Sequence, residues 1–356
     1  MCSNQEPSDR VVPCHNQRIN NPADYFDNAA TTYLHPEVRA AMLAAPTGNP
    51  HSLHSWGQEA RHAVEGARNQ IAELLRLEDP SQIIFTSGAT ESCNTILRLL
   101  TPPNSQVSPH EHSTIRVPAY HRNFPISTVA NHRNQILIAC SNETGALFTT
   151  DNPWYCDATQ AIGKIPFDLN QTEAAAFSAH KLQGPMGIGV LYLKDPNELH
   201  ESNAHQVGGG QEQGRRSGTL NVPGIIGLAR ALEIAIENQE QNYSLATNLR
   251  EIIKNELSNY RFNESATQSP HILSITIPGI TAQPLVQEVD SAGFAISSGS
   301  ACSSGSTEPS PALKAIGLSD SQAMSTIRIS FGPQNTPDSC AKLAKSIKTA
   351  IKNMQT

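Results

Sequence analysis

The sequence predicts an α/β fold, a mostly parallel central sheet followed by a smaller C-terminal α/β domain. Three observations carry this. Short apolar runs of strand length alternate with longer stretches of helical period along most of the 356 residues, the pattern of strands joined by crossover helices. Two of those runs, one around Phe177 and one ending at Leu193, flank a lysine and a glycine-rich turn. The length leaves room for a large core and two domains. The division expected is a disordered tail over 1–22, a large domain over 23–236 and a small one over 237–356, with 23–35 free to pack against the small one.

In chain order, Tyr25–Thr32 is a short extended piece ending in small polar residues, and Pro36 opens a helix to about Leu43, proline being favoured in a first turn. Gly48–Ser52 is a loop. From about Ser55 to Leu75, Ala60, Val64, Ala67, Ile71 and Leu74 recur at helical spacing. Ile83–Thr86 is a buried strand, and Thr90 to about Leu100 a helix. Residues 101–133, rich in proline and histidine, show little periodicity and are expected to be irregular. Strands follow at Gln135–Cys140, Trp154–Cys156 and Phe177, then a flexible polar loop at Gly208–Gly218. Ile225 to Tyr260 reads as helical, broken between Asn238 and Ser244. The remainder alternates: strand Ile272–Ile277, helix Leu285–Ala292, strand Phe294–Ile296, helix Pro311–Ile316, strand Thr326–Phe331 and a last helix from Asp338 to about Met354.

A net charge of −7 gives no support to nucleic-acid binding. No apolar run approaches the roughly 18 residues of a membrane span, and the acid-bearing first 22 residues lack the apolar region of a signal peptide. Seven irregularly spaced cysteines without a CxxC pair fit a reducing compartment better than disulfides or zinc, so the cytoplasm is expected. The histidines at 110, 112, 121 and 132 are too irregularly spaced for a metal site.

The chemistry centres on Phe177–Lys181. An amine at the end of an apolar strand is poorly solvated, which lowers its pKa and frees it to attack carbonyls; this is the setting of a Schiff-base lysine holding pyridoxal 5′-phosphate (PLP). Such a site also needs an anion cradle, an acid for the pyridine nitrogen and a ring clamp. The cradle expected is Ser87–Glu91, a small-residue turn between strand and helix; an ordinary helix cap with Thr90 is the alternative. The acid is Asp157, which lies 24 residues before Lys181, room for one crossover; a helix cap is again the alternative. His112 is chosen as the clamp. Cys302 stands in the serine- and glycine-rich run Ser297–Ser310, where packing asks for no cysteine and a thiol can reach outward. Arg328 interrupts an apolar strand and needs a partner, a substrate carboxylate or a structural aspartate.

With these pieces in place, the sequence resembles the cysteine desulfurases of the NifS/IscS type (group I), within the class V aminotransferases of the fold-type-I PLP enzymes. The matching stretches run from Tyr25–Thr32 through Phe85–Asn94, Glu111-His112, Asn142–Gly145, Asp157–Gly163, Phe177–Leu193 and Gly208–Gly227 to Ser297–Ser310 and Thr326–Gly332. The resemblance implies that Lys181 carries PLP, Asp157 pairs with the pyridinium nitrogen, Gln160 touches the ring hydroxyl and His112 stacks on the ring and moves protons. It implies phosphate contacts from Ala89, Thr90, Ser178 and His180, with Thr219 reaching in from the second subunit of a homodimer. Asn142 and Arg328 would hold the carboxylate of L-cysteine, and Cys302 would take its sulfur as a persulfide, releasing alanine and passing sulfur to an acceptor protein. Another class V reaction (cysteine lyase or aminotransferase) and a non-catalytic homologue are the alternatives. The chain departs from the family in being shorter between His112 and Asn142 and between Gly145 and Asp157. The second gap should cost a crossover helix.

Overall fold

A computed structural model of the chain describes residues 21–128, 132–299 and 308–355. The central sheet has six strands: β1 (Ile83–Thr86), β2 (Ser105–Val107), β3 (Asn134–Ile136), β4 (Trp154–Asp157), β5 (Ala174–Ser178) and β6 (Gly189–Leu193), in the order β1-β6-β5-β4-β3-β2. Strands β2 to β5 pair in parallel, whereas β6 is antiparallel to both its neighbours. Asp157 pairs with Ala176 and Ser178 with Gly189, so the carboxyl ends of β4 and β5 open on the same edge. Crevices at that edge are where open α/β sheets bind ligands.

Helices cover both faces. α1 (Pro36–Leu43) and α2 (Ser55–Leu74) pack on α5 (Val222–Glu237). Ala60, Val64, Ala67 and Ile71 all point inward from α2, the stripe its spacing predicts. On the other face α3 (Ala89–Leu99) packs against β5, β6 and α4 (Ser113–His121). The second sheet, β7-β8-β10-β9, is antiparallel and is built from Arg261–Phe262, Ile272–Thr276, Ser297–Ser298 and Thr326–Ser330 as β7, β8, β9 and β10. It carries its own core with α6 (Gln239–Glu256), α7 (Ala282–Ser291) and the last helix, α10 (Pro337–Gln355). The short helices α8 (Pro311–Ala315) and α9 (Asp320–Met324) lie between β9 and β10. The helical stretch after 222 breaks at Asn238.

Four expectations need correction. Tyr25–Thr32 is not extended throughout, since residues 28–30 form a turn closed by the Ala30 N–H on the Asp27 carbonyl at 3.0 Å. Residues 101–133 are not irregular, since β2 and α4 form a β-α-β unit with β3 there. The strand expected over 135–140 leaves the sheet after Ile136. Phe294–Ile296 is not a strand; Ala295 makes an isolated bridge to Tyr25, and the pairing with β10 falls on Ser297–Ser298. The expected loss of a crossover helix is what the fold has, because β3 and β4 are parallel neighbours joined without one. Their connection packs against the approach to β8 instead, through an Ala146–Gln268 bridge and a Leu147 N–H to Thr267 carbonyl bond of 3.0 Å. Residues 1–20, which hold the expected tail, lie outside the described residues.

Candidate active site

Strand β5 is buried throughout, and the chain then makes one tight turn over Ala179–Lys181 before reversing into β6. Gly189 makes this reversal possible: a Cβ there would stand 2.6 Å from the Gly88 Cα and 2.7 Å from the Phe177 carbonyl oxygen. The turn between β1 and α3 therefore lies directly on the end of the lysine hairpin. Lys181 Nζ donates to the carbonyls of Ala29 (2.7 Å) and Ala30. His180 is anchored by its carbonyl, which accepts from Thr32 N–H (2.9 Å) and Oγ1 (2.8 Å), and by Nδ1, 3.1 Å from Thr31 Oγ1. Burial, helped by the charges of Lys181 and Lys164, pushes the His180 imidazole down to about 4, so it is neutral at pH 7.

A cavity of about 610 Å³ opens over this turn. One wall is Ser87, Gly88, Ala89 and Thr90 at the start of α3. Gly88 caps the helix with φ +156° and no side-chain capping bond, so the first amides of the helix are left for an anion. Thr90 is therefore one residue inside the helix, and its Oγ1 accepts from Thr114 Oγ1 at 2.9 Å. Ser178 and His180 line the same wall.

Asp157 is buried at the floor, its Oδ1 accepting from Thr159 N–H at 3.0 Å. Gln160 lies one turn further on, donating from Nε2 to the Ala29 carbonyl (2.9 Å) and accepting at Oε1 from Lys164 (2.6 Å). His112 is the N-cap of α4, with Nδ1 accepting from Thr114 N–H at 3.2 Å. That cap fixes the ring at the cavity edge. Arg328 is almost fully buried, donating from Nη2 to Asp27 Oδ1 (2.7 Å) and from Nη1 to the Asn142 carbonyl (2.8 Å). The structural aspartate is thus present. Arg328 and Asn142 nevertheless both line the cavity, and Arg328 Nε is buried without a hydrogen-bond partner.

The fold therefore gathers Lys181, Asp157, Gln160, His112, Ala89, Thr90, Ser178, His180, Asn142 and Arg328 around one space. Thr219 is exposed and outside that lining. The loop before it is not loose, because Glu212 and Arg216 tie it to α2 and α3 of its own chain. Cys302 lies outside the described residues. Histidines 110, 121 and 132 line no part of the cavity. His110 is a half-buried ring stacked on Phe148 at 4.8 Å, and His121 sits in the last turn of α4. Among the described residues no group of His, Cys, Asp and Glu could hold a metal, and no helix is long and apolar enough to cross a membrane.

Sequence reasoning missed Lys164 and the role of the Ala29 and Ala30 carbonyls. Glu111, next to His112 in the sequence, is buried with neither carboxyl oxygen in hydrogen-bond geometry. Burial and the charge of Asp157 raise its pKa well above the usual range, opposed only by the Ile138 amide. The thiols of Cys93, Cys140, Cys156 and Cys340 are all buried and raised by that burial, Cys140 and Cys340 to about 12.

The residues present fit PLP: an amine on backbone carbonyls, an uncapped helix terminus and a buried carboxylate share one cavity, where Thr159 Oγ1 is buried with no partner. Fold and site together define a PLP-dependent transferase. The sequence pattern of the aminotransferase class-V family matches residues 24–152 and 138–343, and the chain belongs to that family, whose members depend on PLP. Its relatives narrow the class to the NifS/IscS-type cysteine desulfurases. The chain is 32% identical to the cysteine desulfurase IscS of Pectobacterium carotovorum subsp. carotovorum and 33% identical to that of Klebsiella pneumoniae, each comparison covering 92% of both chains. Those alignments are 377 positions long, longer than this whole chain, so the relatives carry residues it lacks. Among solved structures, a NifS-like protein superposes with TM-score 0.82 at 30% identity, covering 92% of this chain and 99% of that one. A NifS-like protein from Rickettsia africae gives 0.83 at 26% identity, covering 93% and 99%.

Proposed function

We propose that this chain is a PLP-dependent L-cysteine desulfurase that moves the substrate's sulfur onto Cys302 as a persulfide and releases L-alanine. The observation that carries the proposal is the shared cavity, whose lining brings the Lys181 amine and Asp157 together with Arg328 and Asn142. An amino acid offers both the amine and the carboxylate that such a lining can hold.

Bound PLP supplies the carbonyl that captures an amino group and the ring that stores the electrons released. Lys181 would hold the cofactor and, once displaced from it, would move a proton at the substrate's α-carbon. Asp157 would keep the ring nitrogen protonated, and Gln160 would donate to the ring hydroxyl. His112 would stack on the ring and ferry protons. Ala89, Thr90, Ser178 and His180 hold the phosphate, and a neutral His180 can donate without adding a charge. Arg328 keeps one donor edge on Asp27 and turns its remaining N–H groups, with Asn142, to the substrate carboxylate. The Cys302 thiolate then attacks the cysteine sulfur. An S–S bond forms as the C–S bond breaks, the electron pair stays on carbon, and that carbon takes a proton on its way to alanine.

In this reading Thr219 completes the phosphate site of a second subunit, an assignment supported by its exposure. The protein works as a cytoplasmic homodimer, divided near residue 236 into a large and a small domain. Persulfide sulfur passes to an acceptor protein for iron–sulfur assembly or thiolation.

The test is the purified protein and its Cys302→Ser variant, scanned for visible absorbance and then given L-cysteine with separate assays for alanine, sulfide and pyruvate. The variant should keep PLP and the spectral change on adding cysteine, while losing alanine and the protein-bound persulfide. Full alanine production by Cys302→Ser, or pyruvate from the wild type, overturns the mechanism in favour of an aminotransferase or a lyase. A wild type that binds no PLP overturns the enzyme reading.

A further inference from the structure

Lys164 is a cation in an unfriendly place. It follows β4 by two turns of irregular chain and keeps some surface as a residue, but its amine is drawn inward to Gln160 Oε1 at 2.6 Å. Its carbonyl, 3.1 Å from His271 Nε2, ties its backbone to the approach to β8. Of the groups that act on it, Lys181 after β5 and Arg328 on β10 disfavour its charge, and Cys140 after β3, its thiol raised to about 12, is neutral near pH 7 and offers no countercharge there. Lys164 in turn pushes down the imidazoles of His180 and His271. A buried lysine without a carboxylate is expensive, so its partner matters.

That partner is a side-chain amide, whose two ends have opposite hydrogen-bonding character. An ammonium has three donors and no acceptor, so Gln160 must offer it oxygen. The Gln160 nitrogen then points the other way, to the Ala29 carbonyl at 2.9 Å and to the cavity. Lys181 Nζ shares that carbonyl at 2.7 Å. Should Lys181 leave Ala29 to engage a ligand, or Gln160 swing toward one, Lys164 still fixes which end of the amide faces inward.

We propose that Lys164 is a positioning residue: its ammonium locks the Gln160 amide with the donor end turned to the cavity, where that donor meets the ring hydroxyl of PLP. The consequence for the cofactor rests on the function proposed above; the lock itself does not. Burial, followed by the charge of Lys181, brings the Lys164 amine down to about 7. The lock is therefore complete below that pH and weakens as pH rises through it.

The test uses the full chain labelled with 15N-glutamine and freed of cofactor, following the Gln160 side-chain amide between pH 5.5 and 9. Wild type should titrate near 7. Lys164→Met should shift the signal and abolish the midpoint, and Lys164→Arg, which keeps a permanent donor, should hold the signal at its low-pH position. A Gln160 signal indifferent to pH in the wild type, or unchanged in Lys164→Met, overturns the proposal; the wild-type titration decides even if the methionine variant fails to fold. In the loaded protein, losing a hydrogen bond to an anionic ring oxygen should raise the pH midpoint of the visible band by about one unit in Lys164→Met. Lys164→Arg should stay near wild type. Equal midpoints in all three proteins also count against the lock. A wild type without any visible band would instead refute the PLP reading and leave the glutamine titration to decide on Lys164.

Discussion

Replacing Glu212 by alanine should destabilise the protein more than any surface substitution, although Glu212 lies in a polar glycine-rich loop. Its carboxylate is buried and takes both Nη atoms of Arg68, at 2.7 and 3.0 Å, and the Phe85 N–H at 3.0 Å. Arg68 lies over the Phe85 ring at 4.6 Å and also pairs with Glu65 at 3.0 Å. Removing one partner of a buried ion pair costs about 3–5 kcal/mol because the other charge stays buried. Glu65 is half-exposed and keeps part of the compensation, which argues for the low end. The orphaned Phe85 N–H adds about 1 kcal/mol or more. The expected loss is thus about 3–4 kcal/mol. An unfolding entropy near 2.1 cal/mol/K per residue gives about 0.75 kcal/mol/K for 356 residues, so the midpoint should fall by roughly 4–5 °C if the chain unfolds as one unit.

Urea unfolding and a thermal scan of Glu212→Ala, Arg68→Met and the double variant check this. Since a buried pair is often no better than packed apolar groups, the double variant should lose less than the two single variants together. Trypsin should also cut faster after Arg215 or Arg216, because Glu212 holds that loop on β1. A Glu212→Ala variant within about 0.5 kcal/mol of wild type, the range of ordinary surface changes, would refute the reasoning.

Two further outcomes are expected. Lys181→Ala should abolish covalent cofactor attachment, so that borohydride no longer fixes the visible chromophore; a chromophore still fixed by reduction means another lysine does the work. Glu111→Gln should stabilise the protein at pH 7 and change nothing at pH 4. The folded-state pKa of Glu111 is raised by burial and Asp157, so between about 4.5 and that raised value the folded chain keeps a proton that the unfolded chain loses, and stability falls as pH rises. Each unit of that shift is about 1.4 kcal/mol. Unfolding curves at the two pH values read the difference, and a destabilised Glu111→Gln at pH 7 would show the carboxylate to be charged and wanted.

What was legible in the sequence was mostly local. The β5–β6 reversal needs only two apolar runs and a glycine turn, and both acid and amine follow from strands, Asp157 ending β4 and Lys181 closing the turn that follows β5. β2 was invisible because Ser105-Gln106-Val107 has no apolar pattern and is buried by pairing with β3. α4 was hidden by Pro118 and its β-branched residues, and it is held by packing on α3. The glycine-rich loop read as flexible because the acid that pins it finds its arginine 144 residues away. Lys164 is silent in the sequence because an isolated lysine four residues beyond a glutamine carries no signal until both ends of the amide are seen.

The segment around Ala29 explains why the cavity needs both sheets. Tyr25 bridges to Ala295 and Asp27 to Ser330, and Asn28 Nδ2 donates to the Ser330 carbonyl at 2.9 Å, all on the side of the second sheet. Ala29 N–H then reaches Ser330 Oγ at 2.8 Å, while its carbonyl accepts from Gln160 and Lys181 on the central sheet. Asp27 meanwhile holds Arg328. The turn over residues 28–30 thus joins the carbonyls that hold the Lys181 amine to the aspartate that holds Arg328. Those carbonyls are backbone groups, which almost any residue would supply. The small residues at Ala29 and Ala30 leave the space above those carbonyls open for a ligand, and that is the part of the site the amino-acid sequence itself specifies.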